Sequence, residues 1–253
     1  MPTPRIWVRE SLPRTYEAGS DSSPEIRLDG EAAHHVVRVL RSRKGEHVVL
    51  FDGNGGEHHA ALVDVAKGRV TARLESFHPV DRESPLRITL LLGLSRGERM
   101  DFALQKTTEL GVTEIAPIVT ARSVVRLDLE RAQRRAAHWR QVIVSACEQS
   151  GRTRIPLLHP PLALSERLEA TPLAPLRLAL DPRGAPPATD TSAETGVAMA
   201  VGPEGGFEQS ELEQLTQHGF DRIRLGPRVL RTETAAAAAV LFTQTTWGDI
   251  AHR

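Results

Sequence analysis

The chain has 253 residues, 40% of them hydrophobic, and 32 Lys and Arg balance 32 Asp and Glu. That is ample apolar material for a core, in one large domain or a small plus a medium one, and the zero net charge removes any global signature of nucleic-acid binding. No run approaches the ~20 apolar residues of a membrane span. The opening Met1-Pro-Thr-Pro-Arg-Ile-Trp7 is too polar for a secretory signal, and the single Cys147 excludes an internal disulfide framework, which fits a reducing cytoplasm.

In chain order, Glu31 to Arg41 reads as a short helix with Ala33, Val36, Val37 and Leu40 on its apolar side. Arg38 and Arg41, three apart, then face the same way. Three strands follow, from Glu46 to Asp52, Glu57 to Val65 and Arg69 to Phe77, with turns at Gly53-Asn-Gly-Gly56 and Lys67-Gly68. One helix and several short strands over residues 1–80 suggest a small barrel. Pro79 to Pro85, polar and proline-flanked, reads as a linker to a second domain at 85–253.

From Leu86 the rhythm becomes strand then helix. Strand-like runs are Arg87 to Leu92, Thr113 to Val119, Leu176 to Leu180, Gly196 to Val201 and Arg222 to Leu225. Helical runs are Gly97 to Leu110, stopped by Gly111, then Asp128 to Gln149, Gln209 to His218 and Thr232 to Trp247, while Asp181 to Thr195 reads as a loop. Such alternation specifies an α/β fold with a parallel sheet covered on both faces. Residues 1–80 carry 11 basic and 11 acidic side chains, 81–155 carry 13 and 9, and the rest 8 and 12. The positive excess thus sits mid-chain and is almost all arginine, the residue suited to phosphates and stacked bases.

Two glycine-rich loops, Gly202-Pro-Glu-Gly-Gly206 and Leu225-Gly-Pro-Arg-Val-Leu-Arg231, each follow an apolar strand and precede a helix. Paired loops at the carboxyl ends of neighbouring strands are where open α/β sheets hold small ligands. Neither loop carries the lysine and Ser/Thr of a phosphate cradle, and neither fits G-x-G-x-x-G. Glu204 would repel a phosphate but could accept hydrogen bonds from ribose hydroxyls or an amine. The pattern therefore suits a nucleoside-like ligand without phosphates, a cationic one included; on pattern alone, two tight turns that merely close the sheet stay open. Thr232 sits where an N-cap belongs, and the five alanines from Ala235 to Ala239 give the last helix a face that can press closely on a sheet.

Ala198-Met-Ala-Val-Gly-Pro-Glu-Gly-Gly-Phe207, followed by Ile223-Arg-Leu-Gly-Pro-Arg-Val-Leu-Arg-Thr-Glu-Thr-Ala235, resembles the C-terminal signature of the RsmE family. These are uracil-N3 methyltransferases of small-subunit (16S) ribosomal RNA, within the SPOUT class of S-adenosylmethionine enzymes. His34-His-Val-Val-Arg-Val-Leu-Arg41, Gln105-Lys-Thr-Thr-Glu-Leu-Gly111, Ala121-Arg-Ser123 and Glu148-Gln-Ser-Gly-Arg152 agree in order and spacing. The resemblance implies a PUA-like RNA-binding β-barrel at 1–80 and a SPOUT domain at 85–253 with a C-terminal trefoil knot. It also implies a cytoplasmic homodimer acting on 16S ribosomal RNA within the assembled small subunit.

The same resemblance places S-adenosylmethionine against Leu180, Gly202, Gly205, Leu225, Gly226, Leu230, Thr234 and Ala235, with Glu204 as a further candidate. Methyl transfer to uridine N3 needs loss of the N3 proton, helped by a base or by a cation beside the uracil oxygens. Arg231 is the expected cation, and Glu233 either the base or a complement to the helix dipole; pairing of Arg231 with Glu233 or a carbonyl is the structural alternative. Arg38 and Arg41 are expected at RNA phosphates, and Arg122 and Arg152 at the RNA or the uridine. Two other functions stay open: a different acceptor (transfer RNA or a ribose hydroxyl), and a non-catalytic RNA-binding assembly factor.

Other features read as structural. Lys106 and Glu109, three apart on one helix, suggest a salt bridge, and Cys147 on an apolar stretch suggests packing. Adjacent residues on a strand point to opposite faces, so neither His34-His35 nor His58-His59 chelates easily by itself, and with no carboxylate or cysteine at ligand spacing no metal is expected.

Overall fold

The computed structural model describes residues 3–16, 23–66, 68–123, 129–170, 173–190, 192–193 and 195–250. Asp128, the expected start of the long helix, and Lys67 of the second hairpin turn lie outside them. The chain divides into two compact units, Met1–Glu83 with Cys147–Ile155, and Ser84–Ala146 with Pro156–Arg253. The assignment of Cys147–Ile155 to the first unit was not legible in the sequence.

The first unit is a five-stranded sheet in the order β1-β3-β4-β5-β2. Its strands are β1 (Arg5–Trp7), β2 (Glu25–Leu28), β3 (His47–Phe51), β4 (Glu57–Ala66) and β5 (Arg69–His78). The three central strands match expectation, whereas β1 and β2 are too short for a periodicity to show. On β5 the alternation places Val70, Ala72 and Leu74 in a core with Ile6, Leu28, Val48, Leu50 and Leu62. Register shifts in the β4–β5 pairing, at His59/Ala60 and between Leu62 and Asp64, bend the sheet around that core.

The N-terminal helix α1 (Gly30–His34) continues as a π-helical turn over His35–Leu40, and Val36 caps the core. Arg41 follows in the left-handed region at φ 54. The expected shared face of Arg38 and Arg41 is therefore corrected: the helix ends before Arg41, and helical spacing no longer relates the two side chains. Both are exposed.

Among the described residues of this unit, the buried Glu57 and Arg152 are both paired. Glu57 receives Arg5 and Arg82 (3.0 Å); burial pushes its carboxyl up, but these two guanidiniums outweigh that and hold it below its ordinary range. Arg152 donates to Glu83 at 2.8 Å from Nε, while the Thr153 and Arg154 N–H groups donate to the other Glu83 oxygen at 3.1 Å. Cys147 is packed as expected, and burial raises its thiol pKa to about 12.

The second unit is a seven-stranded parallel sheet in the order β12-β10-β11-β6-β7-β8, with β9 alongside β7. Its strands are β6 (Ile88–Gly93), β7 (Glu114–Val119), β8 (Leu157–Leu158), β9 (Leu162–Ala163), β10 (Leu176–Ala185), β11 (Val197–Val201) and β12 (Asp221–Ile223). The helices are α2 (Gly97–Glu109), α3 (Leu129–Ser150), α4 (Leu164–Ala170), α5 (Gln209–Gln217) and α6 (Thr232–Trp247). Every residue of β11 is buried. That is why it reads as a continuous apolar run, the mark of a strand covered on both faces. On one face Leu91, Ala198 and Ala200 pack with Leu164 and Leu168 of α4 and Leu212 and Leu215 of α5. On the other, α6 lies across β6 and β11 beside α2, with Ala236 and Ala239 fully buried. Small side chains there let the helix backbone come close to the sheet.

Three expectations change. β10 runs on to Ala185, so the segment read as loop from Asp181 begins as strand, pairing with β12 across a register shift. The β8, β9 and α4 segment, too short and mixed for a periodicity, was not anticipated. Arg231 rather than Thr232 occupies the N-cap of α6, with no side-chain cap bond, and Thr232 is the first helical residue.

Candidate functional site

The carboxyl ends of β10, β11 and β12 open into one cleft of ≈ 490 Å³. Leu180 to Arg183 line it from β10, Val201 to Phe207 from the first glycine loop, and Ile223 to Gly226 with Arg228 to Leu230 from the second. Thr232 and Ala235 at the start of α6 complete it, and Arg122 enters from the turn after β7. The two glycine loops thus share a cavity, in the range of small-molecule sites and at the strand ends where open α/β sheets bind ligands. Gly226 adopts φ 79, a left-handed turn that brings the second loop back over the cleft.

The first loop is held from outside. Glu204 Oε1 accepts from the Arg96 N–H (3.2 Å) and Arg99 Nη1 (3.4 Å), at the turn that starts α2. Burial pushes the Glu204 carboxyl up, but its own backbone N–H, that of Arg96, the Arg99 charge and the Ser95 hydroxyl together hold it below its ordinary range. On the other side Arg122 Nη1 donates to the Gly205 carbonyl at 2.9 Å, and Arg122 Nε lies 3.7 Å from Glu208. Glu208 and Glu211 form a capping box at the start of α5, and Glu211 also accepts the Ala121 N–H at 2.8 Å. The turn bearing Arg122 is thereby fastened to the helix that follows the loop.

At the β10 end, Asp181 is 5% exposed and receives Arg222 through Nε (2.9 Å) and Nη2, and the Arg183 N–H at 3.0 Å. Burial raises its pKa, but those donors outweigh burial and leave it depressed. At the start of α6, only from Ala235 onward does an N–H find the carbonyl four residues back, at 2.7 Å to Arg231. The first-turn N–H groups before it are left for a ligand or solvent.

Of the expected ligand residues, Leu180, Gly202, Glu204, Gly205, Leu225, Gly226, Leu230 and Ala235 line the cleft, whereas Thr234 does not. Arg231 and Glu233, expected to act on the acceptor, are also absent from the lining, because the helix start turns Thr232 and Ala235 inward. Glu233 keeps one carboxylate oxygen buried without a hydrogen bond. Arg122 lines the cleft; Arg38 and Arg41 belong to the first unit. Arg152, expected at the RNA, is 5% exposed and committed to Glu83, so its guanidinium serves the fold. Sequence reasoning missed Asp181, Arg183, Phe207, Arg228 and Val229; of these, Arg228 and Val229 were visible inside the second motif. Lys106 and Glu109 pair at 2.9 Å as expected. Among the described residues no helix is long and apolar enough to cross a membrane, and no three His, Cys, Asp or Glu side chains are placed to hold a metal ion.

Comparison with known proteins yields matches over both units. The RNA methyltransferase domain family model matches residues 82–244, and the RNA methyltransferase PUA domain model matches residues 28–75. The chain is 31% identical over 229 residues to ribosomal RNA small subunit methyltransferase E of Bacillus subtilis (strain 168), covering 87% of this chain and 90% of that one. It is 34% identical over 219 residues to the protein of that name from Mycobacterium bovis, covering 84% and 83%. A crystal structure of ribosomal RNA small subunit methyltransferase E from Neisseria gonorrhoeae bound to S-adenosyl methionine superposes with a TM-score of 0.87 at 38% identity, covering 98% and 99% of the two chains.

Proposed function

This chain belongs to the ribosomal RNA small subunit methyltransferase E family, and from that premise we propose that it methylates N3 of a uridine in 16S ribosomal RNA using S-adenosylmethionine. The observation that carries this reading is the single cleft enclosed by both glycine loops and the start of α6. The residues present fit that methyl donor. Leu180, Val201, Leu225 and Leu230 offer apolar walls for a purine, and the first-turn N–H groups of α6 suit a carboxylate. Among the described residues no lysine lines the cleft, while Asp181 and Glu204 disfavour a phosphate.

When bound, S-adenosylmethionine supplies a methyl carbon on a sulfonium leaving group, so the protein's task is alignment, worth up to about 7–11 kcal/mol. Gly202, Gly205, Leu225, Gly226, Leu230 and Ala235 would hold the donor, chiefly through backbone. Residues 1–80 would dock the RNA, with Arg38 and Arg41 at phosphates, and residues 85–253 would carry the chemistry around a trefoil knot. The enzyme would act as a cytoplasmic homodimer on the assembled small subunit.

Calorimetric titration with S-adenosylmethionine should show saturable binding, and mapping of RNA from a deletion strain should show loss of one N3-methyluridine. Undetectable binding would favour an RNA-binding assembly factor. Loss of a ribose methyl instead would remove the acceptor assignment.

A further inference from the structure

Four arginines line the cleft, and three are engaged within the protein. Arg122 donates to the Gly205 carbonyl, Arg183 lies 3.7 Å from Asp181, and Arg224 Nη1 donates to the Gly184 carbonyl at 2.7 Å. The fourth, Arg228, makes no hydrogen bond or ion pair with any described residue. Its guanidinium folds back beside Gly226, 3.7 Å from where a Cβ on that glycine would stand. The next residue, Val229, lines the same cleft yet is 79% exposed. An apolar side chain and an unengaged guanidinium thus sit together at the mouth.

The other charged groups around the cleft cannot serve the acceptor equally well. Asp181 and Glu204 are its lining carboxylates, each held by arginine and backbone donors and each depressed in pKa, which makes both poor proton acceptors. Among the described residues the lining holds no His, Cys, Tyr or Lys. A base whose reacting nitrogen must lose a proton therefore finds no side chain tuned to remove it there, and depends on a cation that favours its ionised form.

Resting on the methyltransferase reading above, we propose that Arg228, in the place expected of Arg231, is the catalytic residue that stabilises the ionised acceptor base, and that Val229 is the apolar seat on which that base lies. The N3 proton passes to solvent water. N3 then forms a bond to the methyl carbon as the carbon–sulfur bond breaks, its electron pair returning to sulfur. Before and during attack, negative charge spreads from N3 onto the flanking carbonyl oxygens. A planar guanidinium that stays protonated can donate to one of them. A base drawn out of its stack also needs an apolar surface to lie on, which Val229 presents.

The test uses Arg228→Ala, Arg228→Lys and Val229→Asp in the full-length protein, with small subunits from a strain lacking the enzyme as substrate. Arg228→Ala should keep its melting temperature and its calorimetric affinity for S-adenosylmethionine while kcat falls about 10²–10³-fold. Its rate should also rise to a plateau at higher pH than the wild type, because the acceptor gives up its proton less readily without the guanidinium. Arg228→Lys should recover part of the rate, and Val229→Asp should raise KM for the subunit. A wild-type kcat and pH profile in Arg228→Ala would overturn the proposal, as would weakened donor binding, which would make Arg228 a donor contact. Failure of the wild-type protein itself to bind the donor or methylate RNA would instead sink the reading on which this rests.

Discussion

Gly205 offers a sharp probe of how the first glycine loop is held. Its backbone does not demand glycine, since its φ is not among the positive values. What demands it is Arg122: a Cβ at Gly205 would stand 2.9 Å from Arg122 Cβ and 3.2 Å from Cδ. Gly205→Ala should therefore push the Arg122 side chain off the loop and break its 2.9 Å bond to the Gly205 carbonyl. A hydrogen bond to a charged group contributes about 1.5–3 kcal/mol. Arg122 is 52% exposed, and solvent screening reduces the figure to about 1 kcal/mol. If the bond fixes the loop for its ligand, that loss is roughly fivefold in affinity. Calorimetric titration of S-adenosylmethionine into the wild type, Gly205→Ala, Arg122→Ala and the double variant closes a thermodynamic cycle. Both single variants should weaken binding to a similar degree, and the double variant no more than the weaker single, because both remove one interaction. Fully additive losses, or an unaffected Gly205→Ala, would refute the brace and leave Gly205 acting on the ligand directly.

Three further outcomes follow from the buried groups. Phe207, 8% exposed between the cleft and the Leu212–Leu215 cluster, should cost about 3–5 kcal/mol when changed to alanine, read by chemical denaturation. Gln244 is fully buried; its Nε2 donates to the Leu110 carbonyl at 3.1 Å and its Oε1 accepts from Ser84 at 2.7 Å. Gln244→Leu leaves both partners unsatisfied and should cost at least about 1–3 kcal/mol in the same assay. Asp181 has a folded-state pKa below its ordinary value, so its contribution is complete at neutral pH and is lost as pH falls through that depressed pKa. Asp181→Asn should therefore lower stability near neutrality and flatten this part of the acid limb in a stability-versus-pH series; an unchanged acid limb would discount the Arg222 pairing.

The second unit was legible because β6, β7 and β11 are largely buried on both faces and α2, α3 and α5 are amphipathic, so apolar runs and 3.6-residue patterns alternate cleanly. β1, β2, β8 and β9, of two to four residues, are too short to carry a period and were hidden, whereas β12, equally short, is marked by the glycine loop that follows it. The cleft-lining glycines were legible for a different reason: their spacing is set by backbone approach to a ligand and survives in the sequence. The arginines were not. Whether Arg152 meets RNA or Glu83, and whether Arg228 or Arg231 faces the cleft, depends on partners 69 residues away in the one case and on where α6 begins in the other. No local pattern records either.

A loop of three glycines and a proline would be costly to order on binding, since fixing each residue's backbone costs about 1–2 kcal/mol. Here Glu204 is tied to the start of α2, the Gly205 carbonyl to Arg122, and the Glu208 N–H to Glu211 at 2.8 Å. The ordering is thereby made part of folding, and a ligand meets a loop already in place, which is the general route to affinity by preorganisation. The consequence for chemistry is that most charge around the cleft is committed to architecture. Asp181, Glu204, Arg122 and Arg224 hold strands and loops together through their side chains, so removing any of them should disturb binding and folding in common. Arg228, tied to none of these contacts, is the lining guanidinium whose loss can separate turnover from stability.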